Sequence, residues 1–346
     1  MKPIAITMGC PVGIGPEILV SFFEHLEKNS KNDEFPPVVI GDLTVLSEVA
    51  KLLRVQVEPV SWQPGHDIRP DTLPVMEFSQ LNTKKLQWGQ PNQETSVAMA
   101  DYIRAAVQHT QRGNFAAMVT CPISKKALNN AGIHFPGHTE MLAHLTDTEH
   151  YRMMLAGSQL RVVLVTIHEP LAKVPDLLNI TEIQACIKMT AKSLHNDFAI
   201  NCPRIAVAGL NPHSGEQGMF GQEEIEIIQP ALAQYEYTTC EAKISGPWPP
   251  DTIFYKATRG EFDAVVCMYH DQGLIPFKLL HFQDGVNVTL GLPLVRTSVD
   301  HGTAYDIAGQ GKADPTSLKA AWLMAAKIAK NRTGVHRHGK RYAGCL

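Results

Sequence analysis

The sequence predicts an α/β protein of two domains with parallel sheets wound on both sides by helices, and three observations carry that expectation. Short β-rich runs alternate with helical patterns along the chain, which is the order that builds parallel sheets. At 346 residues and 44% hydrophobic composition, the chain can bury a large core and is long for one domain. Three apolar runs, Arg161 to Ile167, Arg204 to Leu210 and Asp263 to Tyr269, have the near-continuous hydrophobicity of strands buried on both faces.

From the N-terminus, Pro3 to Met8 reads as a strand, followed by the glycine loop Gly9-Cys-Pro-Val-Gly13-Ile-Gly15. A helix follows in which Pro16 suits the first position and Ile18, Leu19, Phe22, Phe23 and Leu26 form an apolar face. The loop is not a phosphate-binding P-loop, because it lacks Gly-Lys-Ser/Thr. It also fails the dinucleotide fingerprint, since Ile18 stands where a third glycine is required. Residues 59–92 are rich in Pro, Gln and Asn and read as a surface excursion or β-hairpin arm. Thr95 or Ser96 can cap a helix to about Arg112, Gly113 stops it, and Phe115 to Val119 is the next strand. Thr139 is the expected N-cap of a short helix from Met141 to Leu145, and Thr181 of a helix after the strand Val162 to Ile167. Gln222 to Tyr235 is amphipathic, with Pro230 expected to kink it. A last helix is expected over 316–330. Residues 1–130 with 290–346 are assigned to one domain and 131–289 to the other.

Charge and cysteine usage exclude several functions. With 31 basic and 34 acidic residues and a net charge of −3, there is no general field for nucleic acid or an anionic membrane. The basic stretch His336 to Arg341 reads as a solvated tail. No apolar run suits a membrane span, and Met1-Lys-Pro-Ile-Ala-Ile-Thr runs into a glycine turn instead of a signal peptide's apolar stretch. The expected compartment is the cytoplasm. Seven cysteines without a Cys-x-x-Cys pair suggest neither a disulfide framework nor a cysteine zinc site.

The chemistry starts with the three strand-like runs, which end on His168, His213 and His270. Open α/β sheets place ligands outside the carboxyl ends of their strands, so these imidazoles can converge on one metal ion. Three nitrogen ligands with a position left open make a catalytic site that polarises a substrate oxygen. Each has neighbours able to orient it: Glu169, the string Asn211-Pro-His-Ser-Gly-Glu216, and Asp271. His138 and Thr139 open a helix, whose free N–H groups suit an anion. Lys278, Asn287 and Arg296 can add a charge-assisted clamp. Together they favour a phosphorylated, carboxylated substrate. Downstream, His301-Gly-Thr-Ala-Tyr-Asp306-Ile-Ala-Gly309-Gln-Gly311 resembles the adenosine-binding loop of the isocitrate and isopropylmalate dehydrogenase fold. That resemblance implies a two-domain fold of parallel and mixed sheets flanked by helices, and a nicotinamide cofactor held by His301, Gly302, Thr303, Asp306 and Gly309.

From Ile4 to about Lys330, an ordered set of strings resembles the 4-hydroxythreonine-4-phosphate dehydrogenase (PdxA) family. They are Met8 to Glu17, Thr120-Cys-Pro-Ile-Ser-Lys125, Phe135 to Glu140, Asn211 to Glu216, Gly246-Pro-Trp-Pro-Pro-Asp251, Tyr269-His-Asp-Gln-Gly273 and Arg296 to Thr303. The resemblance implies a homodimer with active sites at the subunit interface. It also implies one divalent metal (zinc, magnesium or cobalt) on His168, His213 and His270 shared between partners, and substrate contacts from His138, Thr139, Lys278, Asn287 and Arg296. One departure is Cys10-Pro11-Val12, where the family usually carries an acidic residue followed by Pro-Ala-Gly.

The reaction so implied oxidises 4-phosphohydroxy-L-threonine with NAD or NADP and then decarboxylates it to 3-amino-2-oxopropyl phosphate, for pyridoxal phosphate synthesis. Asp271 and Asp251 are the candidates for the base or for orienting the ligand histidines. Two alternatives stay open: a paralogous 4-phosphoerythronate or 4-phosphothreonate dehydrogenase of sugar-acid catabolism, and a non-redox phosphate acyltransferase or metabolite-binding pseudoenzyme on the same fold.

Overall fold

The computed structural model describes residues 2–26, 34–135, 137–233 and 242–342. The chain divides into two compact units, Met1–Glu149 with Leu292–Ala329, and His150–Gly291 with Lys330–Leu346. Residues 131–149, assigned to the second domain from sequence, thus fall in the first unit.

The first unit begins with β1 (Ile4–Thr7), α1 (Gly15–Glu24), β2 (Pro37–Gly41), α2 (Leu43–Leu53), β3 (Glu58–Ser61) and β4 (Thr72–Glu77). It continues through α3 (Gln93–Gln111), β5 (Ala117–Thr120), α4 (Lys125–Asn130) and α5 (His138–Leu145). The second unit holds β6 (Arg152–Ala156), β7 (Arg161–Leu164), α6 (Val174–Leu177), α7 (Ile180–Asn196), β8 (Arg204–Ala208), α8 (Gln229–Ala233), β9 (Lys243–Trp248), α9 (Pro250–Thr258), β10 (Ala264–Cys267), α10 (His270–Leu280) and β11 (Val286–Leu290). The chain then returns with β12 (Arg296–Val299) and α11 (Thr316–Tyr342).

In the first unit the strands run β3-β4-β2-β1-β5-β12, and every pair is parallel. This corrects the expectation for 59–92. Part of that stretch supplies β3 and β4, which pair parallel with Pro59 opposite Leu73, so they are not an antiparallel arm. β1, β2 and β5 are buried along their whole lengths, as strands covered on both faces must be. Phe22 of α1 and Trp322 of α11 meet edge to face with ring centroids 5.5 Å apart.

In the second unit the order is β11-β6-β7-β10-β8-β9. β11, β6 and β7 pair antiparallel, whereas β7, β10, β8 and β9 are parallel. Its core includes Leu155, Val162, Leu164, Ala206, Val265 and Phe277. The three apolar runs read from sequence are therefore the three adjacent parallel strands β7, β10 and β8.

The helix starts differ from expectation in their caps. α3 is capped by Asn92, whose Oδ1 accepts from the Thr95 N–H at 2.9 Å, while the Thr95 hydroxyl accepts from the Asn92 N–H. Asn179 instead of Thr181 caps α7. Gly137 instead of Thr139 is the N-cap of α5, which opens at His138. The Gln222 region contains a π-turn over Glu224–Ile228 ahead of α8; its end beyond Ala233 lies outside the described residues. The expected basic tail continues the backbone of α11 as far as Tyr342.

Candidate functional site

The pairing of β7 with β10 continues beyond the strand ends and brings His168 and His270 together. The N–H of Val165 donates to the Cys267 carbonyl (2.9 Å), and both the N–H (3.2 Å) and the hydroxyl (2.8 Å) of Thr166 donate to the Met268 carbonyl. The two imidazole centroids are 5.7 Å apart. His270 Nδ1 lies 2.7 Å from Asp271 Oδ1. A carboxylate there accepts the Nδ1 proton and leaves Nε2 with a lone pair for a metal.

Gln272 ties this pair to the neighbouring strand. Its buried side chain accepts from the Met268 N–H (2.7 Å) and donates to the Gly209 carbonyl (2.6 Å) at the end of β8. His213 follows in an unusual segment: residues His213 to Gln217 all have positive φ, from 45° to 79°. Only Gly215 among these adopts that region without steric cost, and left-handed turns of L-residues are disfavoured. Glu224 compensates. Its buried carboxylate accepts from the N–H groups of Leu210 (2.7 Å) and Asn211 (2.8 Å) and from the Asn211 side chain (3.0 Å). Sequence reasoning placed Glu216 beside His213 and missed Glu224; an acidic residue next to Ile225 and one turn before Ile228 was the only signal.

His213 does not join the other two imidazoles. Among the described residues, no group of three His, Cys, Asp or Glu within the chain can hold a metal ion. The donor set therefore fits a metal in part, through His168 and His270. Of the two aspartates, Asp271 orients His270. Asp251 is exposed in the first turn of α9, which packs against the turn carrying His213.

The anion-binding candidates come from both units. In the first, Thr139 and Arg296 are buried, and Arg296 donates to the Thr120 hydroxyl at 2.7 Å. Burial pulls the Arg296 guanidinium pKa down, and Glu140 only partly offsets it. Burial also holds His138 well below the usual histidine range, with Arg296 and Lys125 adding repulsion. His138 is thus a neutral imidazole at pH 7, and its Nε2 has no hydrogen-bond partner among the described residues. In the second unit, Lys278 lies on α10 with its ammonium 5.8 Å from the Phe282 ring centroid. Asn287 lies on β11 with Oδ1 buried and lacking a partner among the described residues.

The cofactor candidates His301, Gly302, Thr303, Asp306 and Gly309 lie in a loop of the first unit resting on the N-terminal glycine loop. The Ile14 N–H donates to the Thr303 carbonyl (3.1 Å), and the Tyr305 hydroxyl donates to Cys10 Sγ (3.3 Å). Burial raises the Cys10 thiol pKa, so this position carries no charge at neutral pH. Glu17 accepts from the N–H groups of Gly309 and Gly311, a contact that sequence reasoning missed.

Comparison with known proteins sets this geometry in a family. A protein of Desulfosudis oleivorans named 4-hydroxythreonine-4-phosphate dehydrogenase is 54% identical over 325 residues, covering 93% of this chain and 94% of that one. The protein of the same name from Desulforapulum autotrophicum is 51% identical, covering 96% and 97%. The crystal structure of 4-hydroxythreonine-4-phosphate dehydrogenase from Klebsiella pneumoniae superposes with a TM-score of 0.86 at 41% identity, covering 95% of this chain and 98% of that one. The family described as pyridoxal phosphate biosynthetic protein PdxA matches residues 33–325, and the chain belongs to that family.

Proposed function

We propose that the chain is a 4-hydroxythreonine-4-phosphate dehydrogenase, oxidising its substrate with NAD or NADP and a divalent metal and releasing carbon dioxide. The observation that carries the reading is the pairing of His168 and His270 at the ends of β7 and β10, with Asp271 fixing the His270 tautomer. His168 and His270 would hold a divalent metal, which would supply Lewis acidity for the oxidation and the decarboxylation.

The chain's own residues supply binding and proton handling. Arg296 and His138 with the start of α5 bind an anionic end of the substrate, and Lys278 and Asn287 are the further substrate contacts that the family implies. His138, neutral and lacking a partner at Nε2 among the described residues, presents that nitrogen to the anionic substrate. Asp251 of the partner subunit, carried on the helix packed against the His213 turn, takes the hydroxyl proton, since Asp271 is engaged by His270. The loop over 301–309 would hold the dinucleotide, whose nicotinamide would supply the oxidising equivalent. The oxidised β-keto acid then loses carbon dioxide and takes up a proton, giving 3-amino-2-oxopropyl phosphate.

The third metal ligand is His213 of the partner subunit in a homodimer. Two features support this: the incomplete ligand set among the described residues of one chain, and the exposed apolar side chains Ile275, Leu279 and Phe282 on and just after α10, a row expected to be covered by another surface.

The test is NADH or NADPH formation from 4-phosphohydroxy-L-threonine, with 4-phospho-D-erythronate alongside, before and after chelation. Activity on the first that is lost with chelator and restored by divalent metal is expected. Folded, dimeric, metal-loaded protein inactive on both would overturn the dehydrogenase reading.

A further inference from the structure

Glu17 occupies the third position of α1, where a glutamate commonly turns back to cap its own helix. Here it does not. The side chain is 1% exposed, and both oxygens cross to the 301–311 loop: Oε1 accepts from Gly309 and Oε2 from Gly311 at 2.8 Å. Both glycines have positive φ, 79° and 66°, and the two N–H groups converge on one carboxylate. A carboxylate withdrawn from water is costly unless its lone pairs are occupied. The loop's amides and this carboxylate therefore hold each other in place.

Other contacts strengthen the same seam. The loop rests on the N-terminal glycine loop through Ile14 with Thr303 and Cys10 with Tyr305. Gly89 donates to the Val12 carbonyl at 2.8 Å, and a side chain at Gly89 would collide with the Tyr305 carbonyl. The N-terminal loop lacks the dinucleotide fingerprint, yet its backbone lies close against the 301–311 loop: a Cβ at Gly13 would lie a tight 3.1 Å from the Thr303 oxygen. Gly13 thus serves loop-to-loop packing, whereas Gly9 and Gly15 pack against Cys121, Pro122 and the Met8 carbonyl.

We propose that Glu17 is a positioning residue for the dinucleotide, preforming the 301–311 loop so that binding does not have to order it. The proposal rests on the reading of that loop as the cofactor site. Pre-organisation raises affinity by removing the ordering cost from the binding step. Loss of the carboxylate therefore acts on the dinucleotide and spares the phosphate site.

The experiment compares Glu17→Gln and Gly311→Ala with the parent full-length protein. The first substitution keeps the side chain's size but turns an amide NH2 toward an N–H. The second strains the loop from the other side, because Gly311 has a φ of 66° that a side chain disfavours. Hydrogen exchange of peptides over 302–315 is measured by mass spectrometry without cofactor, and NAD and inorganic phosphate affinities by calorimetry. The expected result is faster exchange confined to that loop, NAD affinity weaker by about tenfold in both variants, phosphate affinity unchanged, and a raised dinucleotide KM with kcat at saturating NAD reduced less than about threefold. Unchanged exchange overturns the role of Glu17 and leaves the cofactor-loop reading standing. Faster exchange with unchanged NAD affinity overturns the cofactor-loop reading and the proposal with it. Faster exchange throughout the protein, with both affinities weakened, makes Glu17 a general packing residue and also overturns the proposal.

Discussion

Glu224 shows how one buried carboxylate can decide the position of a side chain it does not touch. It gathers two backbone N–H groups and an amide ahead of His213, and those bonds offset a turn that L-residues avoid. Glu224→Ala leaves these donors unsatisfied and is expected to lower stability by about 3 kcal/mol and metal affinity by roughly 10- to 100-fold, read by denaturant unfolding and metal titration. Metal affinity equal to the parent would show that the turn does not depend on Glu224. His138 sets a pH dependence. Burial lowers its folded pKa below the ordinary 6.5, so the unfolded chain binds the proton first as pH falls. Stability from this residue is complete above about 6.5 and declines as pH drops below it. Thermal melts of the parent and His138→Gln are expected to converge with falling pH in that window, and added phosphate, which favours the imidazolium, is expected to blunt the decline in the parent.

At the scale of elements, α10 carries two jobs on different faces. Phe277 is buried in the core, whereas Ile275 and Leu279, followed by Phe282, are 68%, 85% and 78% exposed. Their spacing of four and three residues makes one stripe, adjacent to Lys278. Ile275→Asp combined with Leu279→Asp is expected to convert dimer to monomer in sedimentation velocity and to abolish metal-dependent turnover while the fold persists. An active monomer would refute a shared site. The sequence made the strands β7, β8 and β10 legible because their apolar runs stop abruptly at polar residues, and the histidines stand at those stops. It did not reveal the parallel pairing of β3 with β4, because β4 also pairs with β2, Val39 opposite Val75, and that longer-range partner is not written in the local pattern. The caps were misread for a local reason: Thr95 sits inside a capping box as the partner of Asn92, and both residue types favour either role. The left-handed turn was illegible because it runs against the intrinsic preference of His213, Ser214, Glu216 and Gln217 and is held by Glu224 from beyond it.

At the scale of the whole molecule, the separation of His213 from the His168–His270 pair yields a distinct test. In a twofold dimer with shared sites, each site draws His168 and His270 from one chain and His213 from the other. A His213→Ala chain and a His270→Ala chain are each expected to be inactive as homodimers. In their heterodimer one site carries both substitutions and the other carries neither. Random re-association places half of the chains in heterodimers with one of two sites intact, so mixing after reversible dissociation is expected to restore about one quarter of parental activity. The same fraction should appear in tightly bound metal. If all three ligands came from one chain, every site in every combination would lack one of them and the mixture would stay inactive. A His168→Ala chain mixed with the His270→Ala chain is the internal control. Those two histidines lie together on one chain, so no pairing of these variants is expected to rebuild a site, and recovery there would overturn the assignment of the pair.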